Sequence, residues 1–516
     1  MTDHAAIWKT LNDLPRPSLK QLFEHGGEER VAALSGRIEW PSSDTADGGG
    51  ILFDWSKTHL DDAHLSQFER LAEGQGFAGR RHALLSGEDV NPTEGRAATH
   101  TAQRGTGSDA DVEEAAALHE RMRLLVEAIH DGALGRVEHL IHIGIGGSAL
   151  GPAMAIDALT RDGAKVDVHV VSNIDGLALE QAFEACDPAT TLIAVASKTF
   201  TTIETMTNAA SARTWLSENG VGDAYGRFVA LTASPEKAVE WGVDETRVLP
   251  FPESVGGRYS IWSSIGFPVA IAVGWDDFAA MLAGAGAVDD HFASTDGRDN
   301  LCLRAAFADQ LYARIRDCQT RAVFAYDERL TKFPDYLQQL EMESNGKRVT
   351  TDGEAISQPT APITWGGVGT DAQHAVFQLL HQGTHTIPVD FIASIAPGDI
   401  LDPAHHRILL TNCFAQGAAL MAGGNMSKSG DDPARAFPGD RPSATMLCDD
   451  IDPATLGALI AFHEHRVFAN AVLMGINPFD QFGVELGKKM AKDIEEGAAE
   501  FDASTNALLE AADIKA

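Results

Sequence analysis

In the middle of this chain, apolar residues come in short unbroken runs, separated by longer stretches where they recur every third or fourth position. The runs at 138–144, 165–171, 191–197, 227–233 and 247–250 are rich in Val, Ile and Leu and read as strands buried on both faces. Helical spacing fills the gaps, up to about 160 after the first run, then over 177–186, 202–218 and 235–241. Ahead of the first run, Val112, Leu118, Met122, Leu125, Val126 and Ile129 repeat at helical spacing behind Ser108, a residue suited to an N-cap. Strand and helix in alternation predict a parallel sheet covered on both faces, with ligands beyond the carboxyl ends of its strands.

A second block of the same kind follows. Strands are expected at 321–327, 384–395 and 443–451, and helices at 371–382, 405–421 and Pro453–Met474. Residues 1–100 read as short helical patterns with loops: 42–50 is a turn or linker, and 53–60 and 91–100 are polar. Arg96, in the last of these, is either a surface charge or a site residue. The stretch 423–443 reads as a loop, and the chain from Val484 onward as helical and polar. The fold class is therefore α/β. At 516 residues the chain exceeds one ordinary core. We divide it into an N-terminal segment, 1–107, packing on the larger domain; a smaller phosphate-binding domain, 108–270; a larger domain, 271–483; and a C-terminal helical arm, 484–516.

Charge narrows the choice of partner. The formal net charge of −34 repels polyanions, which speaks against nucleic acid and anionic membranes. An anionic substrate needs a local cluster of donors. The five cysteines are far apart with no CxxC pair, which speaks against a disulfide framework or a zinc site and fits a reducing cytoplasm. The N-terminus shows no signal-peptide pattern, and the apolar stretch 456–476 is interrupted by His463, Glu464, His465 and Arg466, unlike a membrane span. There is no HExxH or EF-hand pattern, and adjacent His405 and His406 do not share a helical face, so no metal is expected.

Two loops at strand ends have the makings of an anion cradle. GIGGSALGP, 144–152, puts glycines, among them Gly147, and the hydroxyl of Ser148 at a helix start. It also fits the loose dinucleotide form GxGxxA, but the next strand ends in Ser172 and Asn173 where a ribose-binding acid belongs. SKTFTT, 197–202, sets Ser197, Thr199 and Thr202 beside Lys198, either as a phosphate site or as an N-cap cluster. In KFPDYLQQLEMESNGK, 332–347, Gln339 and Glu343 stand four apart on one helical face before Gly346. Glu343 is then either a general base in a pocket or a solvated helix charge. Arg258, after a glycine pair, either stabilises an oxyanion or pairs with a surface acid. His374 near a helix start reads equally as a structural hydrogen bonder, and Lys488, on one helical face with Gln481, as a solvated lysine.

Together GIGGSALGP, VSNIDG, SKTFTT, VGGRYSIWSSIG, QQLEMESNGK, GTDAQHAVFQLLHQGT and GINPFDQFGVELGK, in this order, resemble the glucose-6-phosphate isomerase (phosphoglucose isomerase) family over nearly the whole chain. The resemblance implies two sugar isomerase (SIS) domains, a homodimer with shared active sites, and interconversion of glucose 6-phosphate and fructose 6-phosphate without metal or nucleotide. It implies that Gly147, Ser148, Ser197, Lys198, Thr199 and Thr202 hold the phosphate. Glu343 would move the proton between C2 and C1, and Arg258 would stabilise the cis-enediolate. His374, from the other subunit, and Lys488 would assist ring opening, while Gln339 and Gln481 position the sugar. The chain departs from the family's usual pattern at Ile203, His385 and Asp440. A non-catalytic sugar-phosphate-binding protein on the same fold is the alternative, against which Glu343, Arg258 and Lys488 all count.

Overall fold

The computed structural model describes residues 4–24, 26–41, 48–426, 432–497 and 501–514. Met1–Pro478 forms one compact unit and Phe479–Ala516 a second. The principal strands are β1 Ser35–Trp40, β2 Gly49–Asp54, β3 His139–Gly144, β4 Asp167–Val171, β5 Thr191–Ala196, β6 Phe228–Thr232, β7 Val248–Pro250, β8 Thr320–Tyr326, β9 Ile363–Val368, β10 Val389–Ser394 and β11 Ser443–Cys448. Helices that matter below are α1 Asp109–His130, α2 Leu150–Leu159, α3 Gly176–Ala185, α4 Ile203–Glu218, α5 Trp275–Ser294, α6 Phe333–Asn345, α7 Asp371–Ala375, α8 Phe377–Gln382, α9 Ala404–Ala422 and α10 Pro453–Met474.

The smaller sheet runs β4-β3-β5-β6-β7, every pair parallel. All six residues of β5 are buried, which is why its sequence shows no alternation. Ser108 does cap α1, its hydroxyl accepting the Asp111 N–H. The larger sheet runs β1-β2-β11-β10-β8-β9. Its four central and far strands are parallel, while β2 pairs antiparallel with β11 and with β1. The α/β class with two largely parallel sheets is thus as expected.

Several expectations need correction. Residues 1–100 are not only helix and loop, because β1 and β2 lie there and complete the larger sheet. The expected linker 42–50 falls mostly outside the described residues, and its last two glycines open β2. The expected helix 371–382 is two short helices broken at Val376, whose φ of −125° is not helical. The loop 423–443 contains a short hairpin of Gly424–Asn425 with Ala436–Phe437, and 427–431 lie outside the described residues. The edge strand β9 and helix α5 went unanticipated.

Helix α10 packs against α5, α6 and β2 and is buried at every position from Thr455 to Met474. It meets α5 at glycines on both sides: a Cβ on Gly457 would lie 1.9 Å from Met281 O, and one on Gly284 1.9 Å from Ala454 O. Its charged residues are satisfied internally. Arg466 donates to Asp309 and Asp390, and Glu464 accepts from Arg104. No helix among the described residues is long and apolar enough to cross a membrane.

Candidate active site

The glycine-rich turn leaves β3 at Gly144, forms one 3-10 turn over Gly146–Ser148 and enters α2. It is held from beneath by His142, buried in β3, whose Nε2 donates to Ser148 O at 2.7 Å. Burial holds the His142 imidazole well below its usual range, at about 4, so the ring is a neutral donor. Gly147 lies flat against the 3-10 segment Gly257–Trp262: a Cβ there would be 2.1 Å from Gly257 C and 2.5 Å from Arg258 N. Only glycine permits that approach.

That same segment presents Arg258. Its guanidinium is buried, with Nε donating to Ser344 Oγ at 2.6 Å and Nη2 to Pro478 O. Nη1 lies 3.8 Å from Glu343 Oε1. Tyr259 reaches the same Ser344 hydroxyl at 2.9 Å. The segment's far end is locked by Trp262, whose indole N–H donates to Glu464 at 2.8 Å. Glu464 and Asp289 in turn pair with the buried Arg104, which stacks over the Trp262 ring at 4.7 Å. Arg258 is therefore a fixed cation inside the protein, and the surface-pair reading fails.

Glu343 comes from α6, a helix opened by Pro334 in its first turn and closed at Gly346, whose N–H bonds Met342 O. Leu337, Leu340, Glu341 and Ser344 are buried, which turns Gln339 and Glu343 toward the Gly146–Ser148 turn. Gln339 Nε2 donates to Glu343 Oε2 at 2.8 Å, and a Cβ on Gly146 would be 3.3 Å from that same amide nitrogen. The Glu343 side chain is 22% exposed, enough for a ligand to reach and too little for a solvated surface acid. A carboxylate with one oxygen held by an amide and the other facing a buried cation is arranged for proton transfer next to a developing negative charge.

The second loop follows β5, the neighbour of β3, so both loops emerge at the same sheet end. Ser197 and Thr202 hydroxyls lie 3.1 Å apart, and Thr199 and Thr201 2.8 Å apart. Thr202 occupies the N-cap position of α4, yet its side chain makes no capping bond, so the capping explanation of this cluster fails. Phe200, buried at φ +51°, makes the sharp turn between them. Lys198 donates to Glu253 O at 2.5 Å, tethering this loop to the segment before Arg258. Burial, with nearby Arg96, pulls its ammonium down to about 8. Arg96 itself pairs with Glu94 and Glu253 at the rim.

Three further residues were expected at the site. His374 is exposed on α7, a helix anchored by Tyr326 OH donating to Gln373 within it at 2.8 Å. Lys488 and Gln481 belong to the C-terminal unit. There Lys488 is exposed on the helix Glu485–Glu495, whereas Gln481 precedes a 3-10 turn, Phe482–Val484, and is not on that helix's face as expected. That helix is also not simply polar, since Leu486 and Met490 are exposed on it. Sequence reasoning missed His142, Ser344, Trp262 and Glu464. All four sit in stretches singled out above, but nothing local says what they meet.

Comparison with known proteins places these features in context. A family model described as phosphoglucose isomerase matches residues 54–509. A glucose-6-phosphate isomerase of Erythrobacter litoralis is 74% identical over 507 residues, covering 98% of each chain. One of Novosphingobium aromaticivorans is 70% identical over 505 residues, covering 98% of this chain and 97% of its own. The crystal structure of a glucose-6-phosphate isomerase from Chlamydia trachomatis superposes with a TM-score of 0.86 at 29% identity, covering 98% of each chain.

Proposed function

This chain belongs to the phosphoglucose isomerase family, and on that premise we propose how its own residues interconvert glucose 6-phosphate and fructose 6-phosphate. The observation that carries the proposal is the Arg258–Glu343–Gln339 group beside the glycine-rich turn. Ser148, Ser197, Thr199 and Thr202, with the N–H of Gly147, bind the phosphate, and Lys198 holds their loop in place. Phosphate binding energy then orients the reacting carbons. His374 and Lys488 assist ring opening, and Gln481 positions the sugar. Glu343 takes the proton from C2 of the open aldose and returns it to C1, while the enediolate's negative charge is met by Arg258. Gln339 keeps the carboxylate aimed. A protein that only bound sugar phosphate would have no use for a base and a buried cation set 3.8 Å apart.

The active form in this reading is a homodimer in which His374 serves the partner's site. Support comes from the exposure of His374 and from the apolar residues Leu401, Ile408 and Phe414 exposed on and before α9. The domain reading is 108–270 and 271–483 as two SIS domains, since each range holds the parallel strands of one sheet. The segment 1–107 covers the larger sheet's edge, and 484–516 is an arm. Five buried free thiols fit the cytoplasm. The test is direct detection of glucose 6-phosphate from fructose 6-phosphate, followed by subunit mixing. Glu343→Gln and His374→Ala proteins should each be nearly inactive. Mixed after subunit exchange, they should recover toward roughly a quarter of wild-type activity, because about half the dimers then carry one intact site. A folded, exchanging mixture that stays inactive would refute the shared site.

A further inference from the structure

The amino end of the smaller sheet, opposite the candidate active site, brings together three metal-ligating side chains. In the parallel register of β3 with β4, Ile141 stands beside His169, so His139, two residues before Ile141, points to the same face. Cys186 closes α3 on that face, in the cluster that also contains Ile141 and Val171. The His139 and His169 rings lie 6.0 Å apart, and their nitrogens and the Cys186 sulfur are all within 4.8 Å of one another. This is the one such group of three among the described residues. His139 Nδ1 is buried with no hydrogen-bond partner.

We propose that His139, His169 and Cys186 form a binding site for one borderline-soft divalent cation, Zn2+ in the first place. Two imidazoles and a thiolate are the donor set that such an ion selects over Mg2+ or Ca2+. A tetrahedral Zn2+ needs its ligand atoms roughly 3.3–3.6 Å apart, so the three side chains must draw in by about an ångström. Asp167, the register partner of His139, is exposed, and its charge acts on both His169 and Cys186. The fourth position is left for water. A cysteine thiol passes its proton to solvent when it binds a metal. Gly144 lies five residue steps along β3 from His139, about 16 Å at strand rise, so the ion would take no part in the isomerisation. Cysteine spacing alone argued against zinc because the ligands come from two strands and a helix end.

The full-length protein, freed of metal by chelation, is titrated with Zn2+ alone in a calorimeter. The wild type should take up one Zn2+ per chain at micromolar concentration with release of a proton. His169→Gln and Cys186→Ala should each bind more than about tenfold more weakly, the least that even an outer-shell partner costs. Co2+ should give the near-ultraviolet thiolate band in the wild type and not in Cys186→Ala. Cys186 is buried and its variant risks misfolding, so His169→Gln, at a partly exposed position, decides the matter. No uptake by the wild type overturns the proposal, as does equal uptake by His169→Gln that melts like the wild type.

Discussion

Gly147→Ala adds one methyl where the glycine-rich turn touches the backbone that carries Arg258. The new Cβ would lie 2.1 Å from Gly257 C and 2.2 Å from Gly257 O, while ordinary contact begins near 3.4 Å. Both neighbours are main chain and cannot rotate away. The turn and the 257–262 segment must therefore part by about 1.3 Å, and a displacement of this size in a catalytic constellation costs on the order of 10²-fold in rate. That corresponds to about 2.7 kcal/mol of transition-state stabilisation. Overpacking itself should destabilise the fold by about 1–3 kcal/mol, which leaves a protein of this size folded. The assay is turnover of fructose 6-phosphate with direct detection of glucose 6-phosphate, alongside a thermal melt. Gly79→Ala, on an exposed helical position with nothing within 4 Å of the added Cβ, is the control and should be neutral or slightly stabilising. A folded Gly147→Ala protein with wild-type kcat and KM would show that close contact between the two segments does not set the site's geometry.

Glu343→Gln keeps the shape and the Gln339 neighbour but removes the base, so kcat should fall by a factor on the order of 10²–10⁴ with the melting temperature little changed. Thr199→Ala should weaken both the substrate and inorganic phosphate as a competitive inhibitor; an unchanged inhibition constant would remove the loop from the phosphate site. His142 is neutral when folded down to about 4, whereas the unfolded chain protonates it near its ordinary value of 6.5. Stability is therefore lost as pH falls from about 6.5 toward 4 and does not depend on this group above that window. His142→Gln should melt below the wild type at pH 8, and the gap should narrow at pH 5; a constant gap would mean the imidazole stays neutral in both states.

The smaller sheet was legible because its inner strands β3, β5 and β6 are buried on both faces and so appear as apolar runs, while the edge strand β4, with only Val171 buried, keeps enough valines to show. β1 and β2 were not. SGRIEW carries Arg37 and Glu39 on its exposed side, and only Ile38 and Trp40 are buried. β9 hides because ITWGGV is an edge strand with two glycines. The break at Val376 is a tertiary effect with no Gly or Pro to announce it. At the site, the residue types and the Gln339–Glu343 spacing were readable, since both lie on one helix. The approach of Arg258 to Glu343 was not, because the two are brought together across separate elements. Nor was the Arg104–Glu464–Trp262 anchor, whose members are each unremarkable in their own stretch of sequence.

The antiparallel pairing of β2 with β11 joins the beginning of the chain to its end. About 390 residues separate Asp54 from Ser443, and synthesis at roughly 5–20 residues per second takes about 20–80 s to cover that distance. For all that time the β1–β2 hairpin exists without its neighbour, presenting an open edge in which Ile51 and Phe53 are the residues later buried. The larger sheet has a long wait built into its topology, and its last closure brings Arg37 onto Asp449 and the Asp449 N–H onto Gly50 O. Slow, non-local closure of this kind makes the yield of folded protein, rather than its final stability, the property most exposed to changes in the first sixty residues.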